Sequence, residues 1–110
     1  MIVCVRDDLH RRNANGLAYD LWRLENDSTR VKIKNGTITD EHPEVVVQAN
    51  SEEELGRFEI VLFVKDYFEH FDEDITVQDS RFNIAFGMNA LETDEQLNIH
   101  IKPDSYTCTL

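Results

Sequence analysis

The 110-residue sequence contains no uninterrupted apolar run approaching the roughly 18 residues that span a bilayer as a helix, which excludes a membrane-spanning one. No apolar leader is expected either. Arg6, Asp7 and Asp8 interrupt the first hydrophobic residues at once, so a cytoplasmic location is expected. Positive charge is scarce: 11 Lys and Arg stand against 22 Asp and Glu, for a formal net charge of −11. Such a field repels phosphate backbones and anionic lipid, so neither nucleic acid nor a membrane is expected as a partner. Cysteine is limited to Cys4 and Cys108, near opposite ends of the chain and in no C-x-x-C spacing. A reducing compartment argues against a structural disulfide between them. The Asn-x-Ser/Thr triplets at Asn26 and Asn35 have no consequence without secretion. No linker, repeat or low-complexity tract divides the chain, so residues 1–110 are expected to form one domain with one core.

What the sequence has in abundance is alternation with period two, the signature of half-buried strands. Val3 and Val5 would face a core, which puts Ile2, Cys4 and Arg6 on the opposite side. Asp7 to Gly16 reads as a loop with a turn at Asn15-Gly16. Leu17, Tyr19 and Leu21 then alternate with Ala18, Asp20 and Trp22. Val31 to Thr39 predicts a hairpin turning at Asn35-Gly36, because Asn-Gly tolerates the positive φ angles of a type I′ turn. A β-branched run, Val45 to Val47, and an acidic turn from Asn50 to Gly56 precede a strand in which Phe58, Ile60 and Leu62 point inward. The period then changes: Val64, Tyr67, Phe68 and Phe71 recur at helical spacing, predicting a two-turn helix over Lys65 to Phe71. Asp72 to Ser80 reads as a polar loop, Phe82 to Met88 as a strand, and Asn89 to Glu95 as a second polar segment. Near the end, Leu97, Ile99 and Ile101 alternate with Gln96, Asn98 and His100; Pro103 breaks the run before Tyr106 to Leu110 resumes it. Seven or eight short strands and one short helix at this length describe an all-β sandwich.

The order of these pieces resembles transthyretin and its relative hydroxyisourate hydrolase. The first strand, Ile2-Val3-Cys4-Val5-Arg6-Asp7, is similar to that family's opening. Ser51-Glu52-Glu53-Glu54-Leu55 and the strand after it resemble the family's acidic turn and next strand. Lys65-Asp66-Tyr67-Phe68 is similar to the Lys-x-Tyr-aromatic start of its single helix, and Lys102-Pro103-Asp104-Ser105-Tyr106-Thr107 to its Ser-Pro-x-x-Tyr-Ser ending. The resemblance implies a homotetramer, a dimer of dimers, with a channel between subunits lined by the first and last strands.

If that arrangement holds, the channel residues are the ones opposite the core faces: Cys4 and Arg6, then Gln96, Asn98, His100, Thr107 and Thr109. His42 falls where the family contributes a loop residue. All are polar or reactive. Hydroxyisourate hydrolases place a His where Cys4 stands, an Arg near His42, and a His near Gln96, and they end in Tyr-Arg-Gly-Ser where this chain stops at Leu110. Without those imidazoles, ordinary hydroxyisourate hydrolysis is not expected. Two expectations remain. One is an enzyme acting on a small polar heterocycle or lactam of the kind met in purine metabolism. Cys4 would be its nucleophile or acid/base, His42 or His100 the partner of Cys4, and Arg6 the anchor of an anionic substrate. The other is a small-molecule-binding protein that uses Arg6, Gln96, Asn98 and the threonines without chemistry. Neither needs a cofactor or a metal. Thiolate and imidazole at Cys4, His42 and His100 suit zinc in kind, but their spacing is no ligand motif.

Overall fold

In a computed structural model, described for residues 1–25, 27–71, 77, 80–91 and 94–110, the chain forms two sheets and one α-helix. Strands β1 (Ile2–Asp7), β2 (Arg12–Asn13), β5 (Glu44–Val46), β8 (Gln96–Lys102) and β9 (Ser105–Thr109) make one sheet. Strands β3 (Ala18–Leu24), β4 (Arg30–Thr37), β6 (Gly56–Leu62) and β7 (Phe82–Met88) make the other, in the order β4-β3-β6-β7. In the first sheet β8 lies between β1, to which it is parallel, and β9, to which it is antiparallel. Strands β2 and β5 share the far edge of β1, pairing with its end and its beginning respectively.

Alternation decides what each sheet buries. Val3 and Val5 of β1 and Leu97, Ile99 and Ile101 of β8 pack inward against Leu21 of β3 and Phe58, Ile60 and Leu62 of β6. Each of these side chains leaves water almost completely, and burying one contributes about 1.5–3 kcal/mol. Helix α1 (Val64–Phe71) begins one residue before the expected span and ends where expected. Val64, Tyr67 and Phe68 are its buried residues, at the i, i+3, i+4 spacing that keeps side chains on one helix face. The acidic turn contains a single 3-10 turn, Glu52–Glu54, and Gly56 follows with φ +127°, a value that disfavours any side chain. No helix among the described residues is long and apolar enough to cross a membrane.

Two local expectations are corrected. Asn35-Gly36 is not a hairpin turn: both residues lie inside β4, Asn35 opposite Asp20 and Gly36 opposite Tyr19. The Tyr19 hydroxyl occupies the space beside Gly36, where a Cβ would come within 3.0 Å of it. Glycine is needed there for close approach, and cross-strand packing overrides the local turn preference. The chain reverses instead between Glu25 and Thr29. The Thr29 carbonyl accepts from the Glu25 N–H at 2.8 Å, Ser28 takes φ 71°, and the Asp27 carboxylate accepts from the N–H and hydroxyl of Thr29. The second correction is that the Asp7–Gly16 loop contains β2, folded back onto β1. Its turn at Asn15-Gly16 stands as expected, with Gly16 at φ +98°. Most of the Asp72–Ser80 loop, part of the Asn89–Glu95 segment, and Asn26 lie outside the described residues.

Candidate functional site

Directly paired residues in neighbouring strands project to the same side of a sheet. The register of β1, β8 and β9 therefore sets the polar residues in rows on the face away from the core. Cys4 pairs with Asn98 and Asn98 with Thr109; Arg6 pairs with His100 and His100 with Thr107; Gln96 stands opposite Ile2. Seven of the eight candidate residues thus share one face.

The central part of that face is a concavity of about 320 Å³. Cys4, Arg6, Gln96, Asn98 and His100 contribute to it from β1 and β8, while Asn13 of β2 and Pro43-Glu44 at the start of β5 form its walls. Gln96 and Asn98, two apart on the strand and so on the same side, are tied by an Nε2–H donation to Oδ1 at 2.8 Å. His100 is held through Nδ1, 3.0 Å from a carboxylate oxygen of Asp8. The same oxygen lies 3.7 Å from Arg6 Nε. A carboxylate only accepts, so this contact puts the imidazole proton on Nδ1 and leaves Nε2 of the neutral ring as the basic nitrogen. His100 also borders a smaller hollow of about 110 Å³ that includes Thr107 and Lys102. Thr109 lies at a third hollow, beside Met1 and Leu110.

Cys4 is not the activated thiol that nucleophilic chemistry needs. Burial pushes its thiol up, and the facing Glu44 carboxylate pushes it further in the same direction. A thiolate requires the opposite surroundings. Nor does His100 stand beside it: His100 is opposite Arg6, two residues further along the sheet, a step of about 7 Å. His42 is exposed in the loop before β5 and is absent from the lining of the concavity. Its backbone N–H donates to Thr39 Oγ1 at 3.0 Å, and its carbonyl accepts from the Thr39 N–H at 3.2 Å. Pro43 and Glu44, the next two residues, are the ones that reach the wall. Among the described residues no group of three His, Cys, Asp or Glu side chains is placed to hold a metal ion, so Cys4, His42 and His100 do not form a zinc site.

Asp8, Asn13 and Glu44 belong to the site without having been singled out from sequence. Asp8 follows the strand by one residue, and its backbone N–H is anchored on the Ile101 carbonyl at 3.0 Å, which turns its side chain toward β8. Its neighbour Asp7 has a different fate. It is wholly buried and accepts from the backbone N–H groups of Leu9 and His10, both at 3.0 Å, from His10 Nδ1 at 2.6 Å and from the Tyr67 hydroxyl at 2.7 Å. Burial alone would raise its carboxyl, but the bonds from His10 and Tyr67 together outweigh it and hold the group low. Burial and that carboxylate in turn push the Tyr67 hydroxyl far up, so it remains a donor. No family model matches the chain, and no curated protein matches it.

Proposed function

We propose that this is a transthyretin-like protein whose polar sheet face binds a small polar heterocycle or lactam and hydrolyses it, with His100 as the proton-transfer group. The carrying observation is the contact between His100 Nδ1 and Asp8, which orients a basic Nε2 beside Arg6 at the edge of a polar concavity. Arg6 would hold an anionic oxygen of the substrate, while Gln96 and Asn98 would meet its amide edge with donors and acceptors. His100 Nε2 would take a proton from water as the water oxygen attacks the ring carbonyl. The ring C–N bond would then break, and its nitrogen would take the proton back from His100. Cys4 would serve as a neutral thiol in the wall. In the assembly that the resemblance implies, a cytoplasmic homotetramer, the open face would become a channel between subunits.

What supports the transthyretin-like part is the order of elements: acidic turn, strand, single helix, and a first strand that shares one sheet with the last two, β8 lying between β1 and β9. The test is ring opening of hydantoin, dihydrouracil and succinimide followed by NMR, with His100→Gln and Asp8→Asn alongside the native protein. Turnover that falls by about 10²–10⁴ in His100→Gln supports the reading. Turnover unchanged in that variant, or none with any lactam, overturns the enzyme. The raised thiol of Cys4 favours a second reading, in which the same face binds without chemistry. Saturable binding of these rings, lost in Arg6→Ala and unaccompanied by turnover, would select it.

A further inference from the structure

The polar sheet face does not end at His100. Lys102 follows it by two residues on β8 and so projects to the same side, with Ser105 of β9 directly opposite, as Thr107 is opposite His100. These side chains and Asp8 surround a hollow of about 110 Å³, and His100 belongs both to it and to the larger concavity. Tyr106, the remaining residue at its wall, pairs with the buried Ile101 and turns its ring the other way, 5.0 Å from Phe82 between centroids. The hollow has room for a carboxylate and the carbon that carries it, since a water-sized group takes about 30 Å³.

Groups of both charges surround this space, but only one is uncommitted. The Asp8 carboxylate is engaged by His100 at 3.0 Å and lies 3.7 Å from Arg6 Nε. Lys102 has no such partner: among the described residues no ion pair or hydrogen bond engages its ammonium, nor the Thr107 hydroxyl. The Ser105 hydroxyl makes one long contact, 3.4 Å to Asp104, where an O–H···O bond is usually about 2.7–2.8 Å. An ammonium and two hydroxyls, all donors, match a single negative charge shared by two acceptor oxygens. A phosphate dianion would bring twice that charge to one Lys, in a chain whose net charge is already −11.

We infer that this hollow is the subsite for a carboxylate carried on a short arm of the ring, and that Lys102 selects such ligands. The inference rests on the proposed ring-binding role of the face, and it narrows the ligand to a lactam that bears a carboxylate. With the ring beside Arg6 and His100, the arm runs along β8 toward Lys102, one side-chain repeat of about 7 Å away. The arm and the four-carbon lysine stem share that span. Lys102 Nζ and the hydroxyls of Ser105 and Thr107 then donate to the carboxylate. The experiment is an amide-resolved NMR titration at pH 7 with hydantoin-5-acetate, its neutral counterpart hydantoin-5-acetamide, and hydantoin. Native protein and Lys102→Gln are compared, and ring opening is followed in the same samples. The acid should bind about fivefold more tightly than the amide, shift the Lys102, Ser105 and Thr107 amides, and lose its preference in Lys102→Gln. Equal affinity for acid and amide, or a preference that survives Lys102→Gln, overturns the subsite while the ring-binding reading of the face stands. No saturation by any of the three up to about 10 mM overturns that reading and the subsite with it. A Lys102-dependent preference for the acid without ring opening supports the subsite on a face that binds without chemistry. Lys102 is exposed, so its replacement leaves the core untouched.

Discussion

Replacing Tyr67 with Phe isolates one hydrogen bond of the buried Asp7 network. The ring keeps its edge contacts with Phe68 and Phe71, at centroid separations of 5.0 Å each, so packing is conserved. What disappears is the hydroxyl donated to Asp7 at 2.7 Å. The other Asp7 oxygen retains two backbone N–H groups, and the affected one retains His10, so the carboxylate is weakened rather than orphaned. A hydrogen bond to a charged group is worth about 1.5–3 kcal/mol, and the surviving partners place the expected loss near the lower end, about 1.5–2 kcal/mol at pH 7. Urea unfolding followed by Trp22 fluorescence measures it, with an unchanged slope and a lower midpoint.

The pH dependence supplies the sign. Asp7 is held below its unfolded value of about 3.9, so its stabilisation is present above that value and lost as pH falls through the lower folded one. Tyr67→Phe lessens that depression. The deficit of the variant relative to the native protein should therefore be full at neutral pH and shrink in acid. A deficit under about 0.5 kcal/mol at pH 7 would refute the argument, since surface changes alone span that range. A deficit of the same size across acid pH would refute its electrostatic origin.

Gly16→Ala should cost about 1–2 kcal/mol through backbone strain at φ +98°, although its Cβ would touch nothing. Gly87→Ala, whose Cβ would sit at an ordinary 3.7 Å from the Gly56 carbonyl, should be within about 1 kcal/mol of neutral, as paired thermal unfolding would show. Alkylation of Cys4 and Cys108 by iodoacetamide, read by mass spectrometry across pH, should have midpoints above the ordinary thiol value of about 8.5, because burial raises both. Glu44→Gln should lower the Cys4 midpoint alone; a native midpoint near neutrality would contradict the site electrostatics. Phe58→Ala, at a fully buried position stacked 5.8 Å from Phe86, should cost about 3–5 kcal/mol in denaturant unfolding.

Much of this fold is written in local pattern. Phe82–Met88 has the predicted bounds, and the helix differs by one residue from its expected span, because both rest on periodicities that neighbouring residues carry among themselves. Asn35-Gly36 shows where that logic fails. The dipeptide is equally suited to a turn and to a close cross-strand contact, and only the Tyr19 ring opposite it decides between them.

The sequence by itself determined which side of each strand is apolar, and so which residues are free to make a polar face: Cys4, Arg6, Gln96, Asn98, His100, Thr107 and Thr109. Period-two alternation is a local property and survives any strand order. Which of them meet was decided by tertiary structure alone. The parallel pairing of β1 with β8 puts Arg6 against His100 and Cys4 against Asn98. The fold of the loop before β5 sends Glu44 to Cys4 and leaves His42 outside. Adjacent in sequence and identical in type, Asp7 and Asp8 part in the same way. One is buried under Tyr67 and the other turned to His100, because successive residues at a strand end project to opposite faces and only the packed sheets make one face dry and the other wet.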